Sequence, residues 1–385
     1  MLRLLDFAAL AAVLSWAAVM LFGLPPAPPT TDSMAMVDFG LNTRQAKIIE
    51  AMVAEAAQGR GSVVYPNHYA YPPAFVVLML IWLKLGAWAY PAWLGLMLAA
   101  LVATLGAGAR LSGLGLHPGR PAIAALAALV ALYAIGWDLR TRNVNLVYLA
   151  VALLGLVQAA RRPAMAGMLL SLSAALKLYS VLFVPWLAWR RQWRFLGWTL
   201  AGFALWFAVL PVLWFGWRGA WTLTLAWIEA LRVIGAPVYQ DIFPGYLVTL
   251  PKAVAWLRPG PADDPIARAI VSGVQLAWVG FVLWSLWRRK LSFGAETALL
   301  LLLPLPLAPL LQPHHTVVFL MPVLVLLEAT AREGLPLRER LPGAAVLGVA
   351  ALLTQTGPAG GGRALMTMAA TLLLAEWTAQ RGARL

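Results

Sequence analysis

Residues 163–191 read PAMAGMLLSLSAALKLYSVLFVPWLAWRR, with Lys177 the one charge before the closing Arg190-Arg191 pair. Lys177 divides the stretch into Pro163–Leu176, 14 residues, and Leu178–Trp189, 12 residues. A helix needs about 20 apolar residues to cross a bilayer, so neither piece crosses alone. Arg161-Arg162 stand before the first piece and Arg190-Arg191 after the second. Basic residues in short connections mark the cytoplasmic side, which puts both outer ends there. The spacing therefore predicts two short helices that enter together and turn at Lys177.

The rest of the chain supports a membrane setting for that pair. Of its 385 residues 62% are hydrophobic and 11% charged, against about 25% charged in soluble domains. The 19 Trp and 9 Tyr suit aromatic belts at two interfaces. Uncharged runs recur at 7–29, 86–109, 121–137, 146–160, 195–217, 269–287, 297–312, 316–327 and 341–362, and a last one from 364 is broken only by Glu376. With the N-terminus in the cytoplasm, 16 of the 29 basic residues fall in short inner connections, so the orientation is N-in and C-in. The fold class that follows is an all-α polytopic membrane protein of about twelve transmembrane helices, one integral membrane domain over 1–385. The first run reads as a retained signal anchor. In this count 72–84 lies at the outer interface. Pro304, Pro306 and Pro309 predict a broken helix. The formal charge of +14 follows from these clusters, with no nucleic-acid partner implied. Cysteine is absent, which excludes thiol chemistry and disulfides. No internal repeat is visible.

Two long external segments remain, 31–72 and 216–265. In the first, Leu41, Ile48, Ile49, Met52, Val53 and Ala56 recur at helical spacing until Gly59-Arg60-Gly61. This predicts an amphipathic helix on the membrane surface, with Asp38 before its first turn. Helix N-termini favour an ionised carboxylate, which suits Asp38 as a general base. An ordinary N-cap is the plain alternative, and Asp32 is the rival acid. Lys177 offers a compact charge for a phosphate headgroup; its plain alternative is snorkelling to the interface.

Arg140, Arg142, Asn143 and Asn145 precede a span on the outer side and suit a sugar or phosphate, although Asn143 is equally suited to cap the next helix. His314 and His315 sit at another outer span end, where either can meet a phosphate. Tyr71, Gln240 and Asp241 fall on the same face. There is no metal-ligand spacing, no Walker A loop, no dinucleotide glycine fingerprint and no D-x-D pattern. A carboxylate base, a lysine for phosphate and amides for hydroxyls, gathered on one side, suit glycosyl transfer from a lipid-phosphate donor.

Three stretches resemble glycosyltransferase family 87, also called DUF2029, of the GT-C superfamily. They are Asp38-Phe39 with the amphipathic pattern and Tyr71-Pro72-Pro73; the block from Asn143-Val144-Asn145-Leu146 through Arg161-Arg162-Pro163, Ala166-Gly167, Ala174-Ala175-Leu176-Lys177 and Pro185 to Arg190-Arg191; and Pro313-His314-His315 with Pro322. The central block is the most specific. The chain departs from the family where the usual Gly-Gln is Arg142-Asn143, and where an aromatic-rich approach to the histidine is Leu311-Gln312-Pro313. The resemblance implies transfer of a hexose, typically mannose, from polyprenyl phosphate to a lipid or glycan acceptor, with inversion. Asp38 would be the base, and Lys177, with Arg142, His314 and His315, would hold the donor phosphate. Tyr71, Arg140, Asn143, Asn145, Gln240 and Asp241 would contact the substrates. The setting implied is the external face of a bacterial cytoplasmic membrane. No cofactor is assigned and a divalent metal is left open. A transporter or flippase of lipid-linked sugars is the alternative, favoured by the proline-broken helix, and a scaffold without chemistry is a third reading.

Overall fold

The computed structural model describes residues 38–65, 71–114, 120–234, 249–259, 264–308, 311, 313–331, 345–346, 349–350 and 361–382. All regular elements among them are helical. The first anchor run at 7–29 and most of the run at 341–362 lie outside the described residues. Among the described residues, three helices are long and apolar enough to cross a membrane: Gly86–Leu111, Trp193–Arg232 and Pro265–Arg288. The described residues also form shorter apolar helices, and the chain is a helical membrane protein.

The chain forms two compact units, one containing 22–103 and 138–236, the other 104–137 and 237–385. In the first, the helix α1 spans Asp38–Ala57, and α2 spans Pro73–Leu83. The chain turns out of α1 at Gly59 and Gly61, both at positive φ, where the glycine pattern predicts the stop. Asn42, Ala46, Ile49 and Val53 form the buried stripe of α1, and α1 packs on α2 and on α10, Leu210–Ile234. Trp214 donates to Glu50 Oε1 at 3.0 Å, and Lys84 Nζ lies 4.5 Å over the Trp214 ring. The uncharged run at 195–217 does not end its helix: α9, Trp193–Phe203, passes through a π-helical stretch at Ala204–Val209 into α10. Gly216, at φ 70°, bends α10, and the helix resumes to Ile234.

Around Lys177 the helices run as the lengths require. α7 spans Pro163–Leu176, Lys177 is extended at φ −157° and ψ 122°, a 3-10 turn takes Leu178–Leu182, and α8 spans Phe183–Trp189. The 3-10 turn packs on α7, while α8 packs on α9. α7 sits between α6, Asn145–Gln158, and α9. Small residues make the close approach possible, the usual device where lipid supplies no hydrophobic drive between helices. A Cβ on Gly167 would lie 2.5 Å from Thr199 N, and one on Gly202 1.9 Å from Ser171 Oγ. Gly167→Ala is therefore expected to destabilise this helix pair by about 1–3 kcal/mol, because the obstruction is backbone. Thermal unfolding in detergent checks this, with Gly197→Ala, whose Cβ meets nothing within 4 Å, as the neutral control.

The second unit contains α4, Arg120–Val130; α11, Leu250–Leu257; α12, Pro265–Arg288; α13, Phe293–Leu302; α14, Leu320–Ala331; and α15, Gly361–Gly382. α13 ends at Leu302 and turns follow through Leu307, so the helix breaks at Pro304 and Pro306. Side chains of α12 take up the carbonyls there: Trp278 donates to Leu303 O at 2.9 Å and Gln275 to Pro306 O at 3.1 Å. Asp264 caps α12 through Ile266 N at 3.0 Å and accepts from Arg258 at 2.8 Å. The Arg258 guanidinium, then the Ile266 amide, hold its carboxyl below the ordinary carboxylate range.

Candidate functional site

The site assembles where α5, Leu132–Thr141, bends by 115° into α6, and the residues from Asp138 onward belong to the first unit. Residues 142–144 make the corner. Arg142 holds φ 56°, a left-handed conformation that disfavours side chains. Glycine accepts that conformation freely, so an arginine there depends on its surroundings to hold it. Here the corner is held by Trp93, which donates to Arg142 O at 3.0 Å, and by the Arg142 guanidinium 4.9 Å over the Tyr90 ring. Arg142 Nε is buried and has no hydrogen-bond partner among the described residues.

Asp138 lies at the end of α5 and is fully buried. Its Oδ1 accepts from Asn145 Nδ2 at 2.7 Å and its Oδ2 from Leu146 N at 2.9 Å. The first turn of α6 is thus capped by a carboxylate from the preceding helix. Asn143 is not the side chain that takes the Leu146 amide. Its Oδ1 accepts from Val144 N at 2.7 Å, from Asn145 Nδ2 at 2.9 Å and from the Tyr71 hydroxyl at 3.5 Å. Tyr71 stacks on Phe75 with ring centroids 4.3 Å apart.

Asn145, also fully buried, turns its Oδ1 to accept from Lys177 Nζ. The half-buried Lys177 follows the last residue of α7, where the helix C-terminus favours a cation. Its Nζ lies 5.8 Å from the ring centroid of Tyr148 and 5.1 Å from that of Tyr179, within cation–π reach. The Tyr148 hydroxyl is buried without a hydrogen-bond partner among the described residues. Two serines fix the break: Ser173 donates to Tyr148 O at 2.9 Å and lies 2.6 Å from Ser180 Oγ. With the Ser173 proton used on Tyr148 O, Ser180 is the donor between them.

Of the sequence candidates, the structure brings Tyr71, Asn143, Asn145 and Lys177 into one bonded cluster, with Arg142 at its corner. Arg140 is exposed at the end of α5. Asp38 opens α1; its side chain, with Asp32, Gln240 and Asp241, lies outside the described residues. His314 and His315 belong to the 3-10 segment Pro313–Phe319 of the other unit; His315 is half-buried, and the His314 side chain lies outside the described residues. Asp138, Tyr148, Ser173 and Ser180 are the members that pattern reading missed. Asp138 had a signal: it is the only acidic residue between Glu55 and Glu229, and a lone carboxylate closing an apolar run needs a buried partner. Among the described residues no group of three or more histidines and carboxylates is placed to hold a metal.

The sequence profile of glycosyltransferase family 87 matches residues 69–313. That span takes in the whole bonded cluster. Neither a curated protein nor a solved structure matches the chain.

Proposed function

The chain belongs to glycosyltransferase family 87, and on that premise we propose that it moves a hexose, mannose by the resemblance, from polyprenyl phosphate to a lipid or glycan acceptor at the external face of a bacterial cytoplasmic membrane. The observation that carries this reading is the ammonium of Lys177, set at a break between short apolar helices. It is held by a buried amide over two tyrosine rings. The buried hydroxyl of Tyr148 and Nε of Arg142 are donors without partners among the described residues. A buried donor left unmade costs about 1–3 kcal/mol, and phosphate oxygens would relieve that cost. A phosphodiester takes a cation and several donors at once.

In the reaction, the acceptor hydroxyl loses its proton to the Asp38 carboxylate. Its oxygen bonds to the anomeric carbon from the face opposite the phosphate, which inverts that centre. The bond from that carbon to the phosphate oxygen breaks, and polyprenyl phosphate departs with the electron pair. Lys177 stabilises the charge that grows on it, the place where fixed electrostatics contribute most. Within the first unit, Tyr71, Arg140 and Asn143 are assigned to sugar and acceptor, Arg142 to the phosphate side, and Asn145 to holding Lys177.

Purified protein in liposomes, given a radiolabelled polyprenyl-phosphate hexose and a membrane lipid extract, tests this. Label in a new lipid or glycan product, with unlabelled polyprenyl phosphate released, is the expected result. Label carried across the bilayer still attached to polyprenyl phosphate would instead establish the flippase reading.

A further inference from the structure

We propose that Asp138 is the positioning residue for Lys177, acting through the amide of Asn145; this rests on the reading that Lys177 holds the donor phosphate. Asp138 itself is a poor base. It is fully buried, and each of its oxygens already accepts a hydrogen bond, one from Asn145 and one from Leu146 N. A carboxylate in such a place is costly unless nearby donors and charge compensate it. Here the compensation is directional. Two of the donors are the Asn145 amide and a backbone N–H in the first turn of α6, where the helix dipole favours an anion.

Chemistry fixes the orientation of Asn145. An ionised carboxylate only accepts and an ammonium only donates, so the amide must present Nδ2 to Asp138 and Oδ1 to Lys177. The second Nδ2 hydrogen goes to Asn143 Oδ1 at 2.9 Å, which removes the last freedom to flip. The amide is then polarised from both ends, and each bond strengthens the other. At the far end of the chain of bonds is a lysine that would otherwise be flexible. Lysine carries much rotamer entropy, and a fixed Nζ surrenders it before the ligand arrives. The Tyr148 and Tyr179 rings limit where Nζ can sit, and the Asn145 carbonyl selects one point among those. The bend of 115° between α5 and α6 makes this possible. It brings Asp138 back to a side chain seven residues later.

Without the carboxylate, only Lys177 and Asn143 Oδ1 are left to set the orientation of Asn145. An Asn at 138 offers the Asn145 amide either of its faces, and an Asn145 turned over presents N–H to an ammonium. Asp138→Asn is therefore expected to weaken binding of polyprenyl monophosphate about 10-fold, the scale of one hydrogen bond to a charged group. The test is binding of polyprenyl monophosphate to the purified full chain in detergent, for wild type, Asp138→Asn, Lys177→Met and the double variant. If Asp138 acts through Lys177, the double variant binds no more weakly than Lys177→Met alone. A cost of Asp138→Asn that persists in full beside Lys177→Met, or no cost at all, overturns the proposal.

A second measurement needs no ligand. Competitive acetylation, read by peptide mass spectrometry with Lys84 and Lys252 as internal references, reports how firmly the Lys177 amine is held as an ammonium. Asp138→Asn is expected to speed acetylation of Lys177 several-fold against those references, and an unchanged ratio overturns the proposal. If the ratio changes while wild type binds no polyprenyl monophosphate, Asp138 keeps its role and the donor reading falls. Should Asp138→Asn fail to fold, the exchange Asp138→Asn with Asn145→Asp decides. It keeps the net charge and an acceptor for Leu146 N, and moves the carboxylate next to Lys177. Folded protein with Lys177 acetylated at no more than the wild-type rate supports the proposal, and faster acetylation there contradicts it.

Discussion

An Asp38→Asn variant is expected to transfer sugar about 10²–10⁴-fold more slowly than the wild type, the range set by loss of a general base. Asp38 is the first residue of α1, and helix N-termini in general favour negative charge. An ionised carboxylate is what the acceptor hydroxyl must meet. Asn keeps the size of the side chain, so the cost to stability should be far smaller than the cost to the rate. Donor affinity should hold, because the base acts on the acceptor. The family match begins at Tyr69, downstream of Asp38, so this variant tests a residue that the match does not reach. An active Asp38→Asn beside an inactive Asp32→Asn would move the base to Asp32. Two active variants would remove the carboxylate mechanism altogether.

Lys177→Met is expected to lower kcat/KM for the donor at least about 100-fold, the scale for losing one charged or oxyanion-type donor at a reacting centre. Methionine keeps lysine's apolar stem and ends where the ammonium begins, so packing at the end of α7 should be retained. What is lost is the charge beside the departing phosphate. The acceptor KM should stay near wild type, which separates this effect from general damage to the fold. Lys177→Arg should recover only part of the activity, since a planar guanidinium cannot keep both the Asn145 contact and the position over the tyrosine rings. Equal donor kinetics in Lys177→Met and wild type would assign the phosphate to other residues.

The break at Lys177 was legible because it depends on length: 14 and 12 apolar residues cannot cross alone, and a charge between them marks the turn. The end of α1 at Gly59 and Gly61 and the break after Leu302 were legible for a similar reason, since glycine and proline act locally on the backbone. Asp138 and Tyr148 were not. Their roles arise where a bend brings separate parts of the chain together, and helical periodicity assumes a straight axis. Tyr148 sits inside an apolar run with no pattern to set its hydroxyl apart. The continuation of α10 past Gly216 was hidden because the charge that follows, Arg218, looks like the end of a span. The helix tolerates it after the glycine bend. Of the amphipathic stripe read for α1, Ile49 and Val53 are buried while Ile48 is exposed, and α1 packs within the protein against α2 and α10.

The most direct measurement is an experimental structure of the full chain bound to a non-hydrolysable polyprenyl-phosphate sugar. The account predicts a phosphate oxygen within hydrogen-bond distance of Lys177 Nζ, with the Asn145 contact kept, and the Asp38 carboxylate on the opposite side of the anomeric carbon. A phosphate seated away from Lys177, or Asp38 and Lys177 on opposite faces of the membrane, would contradict it.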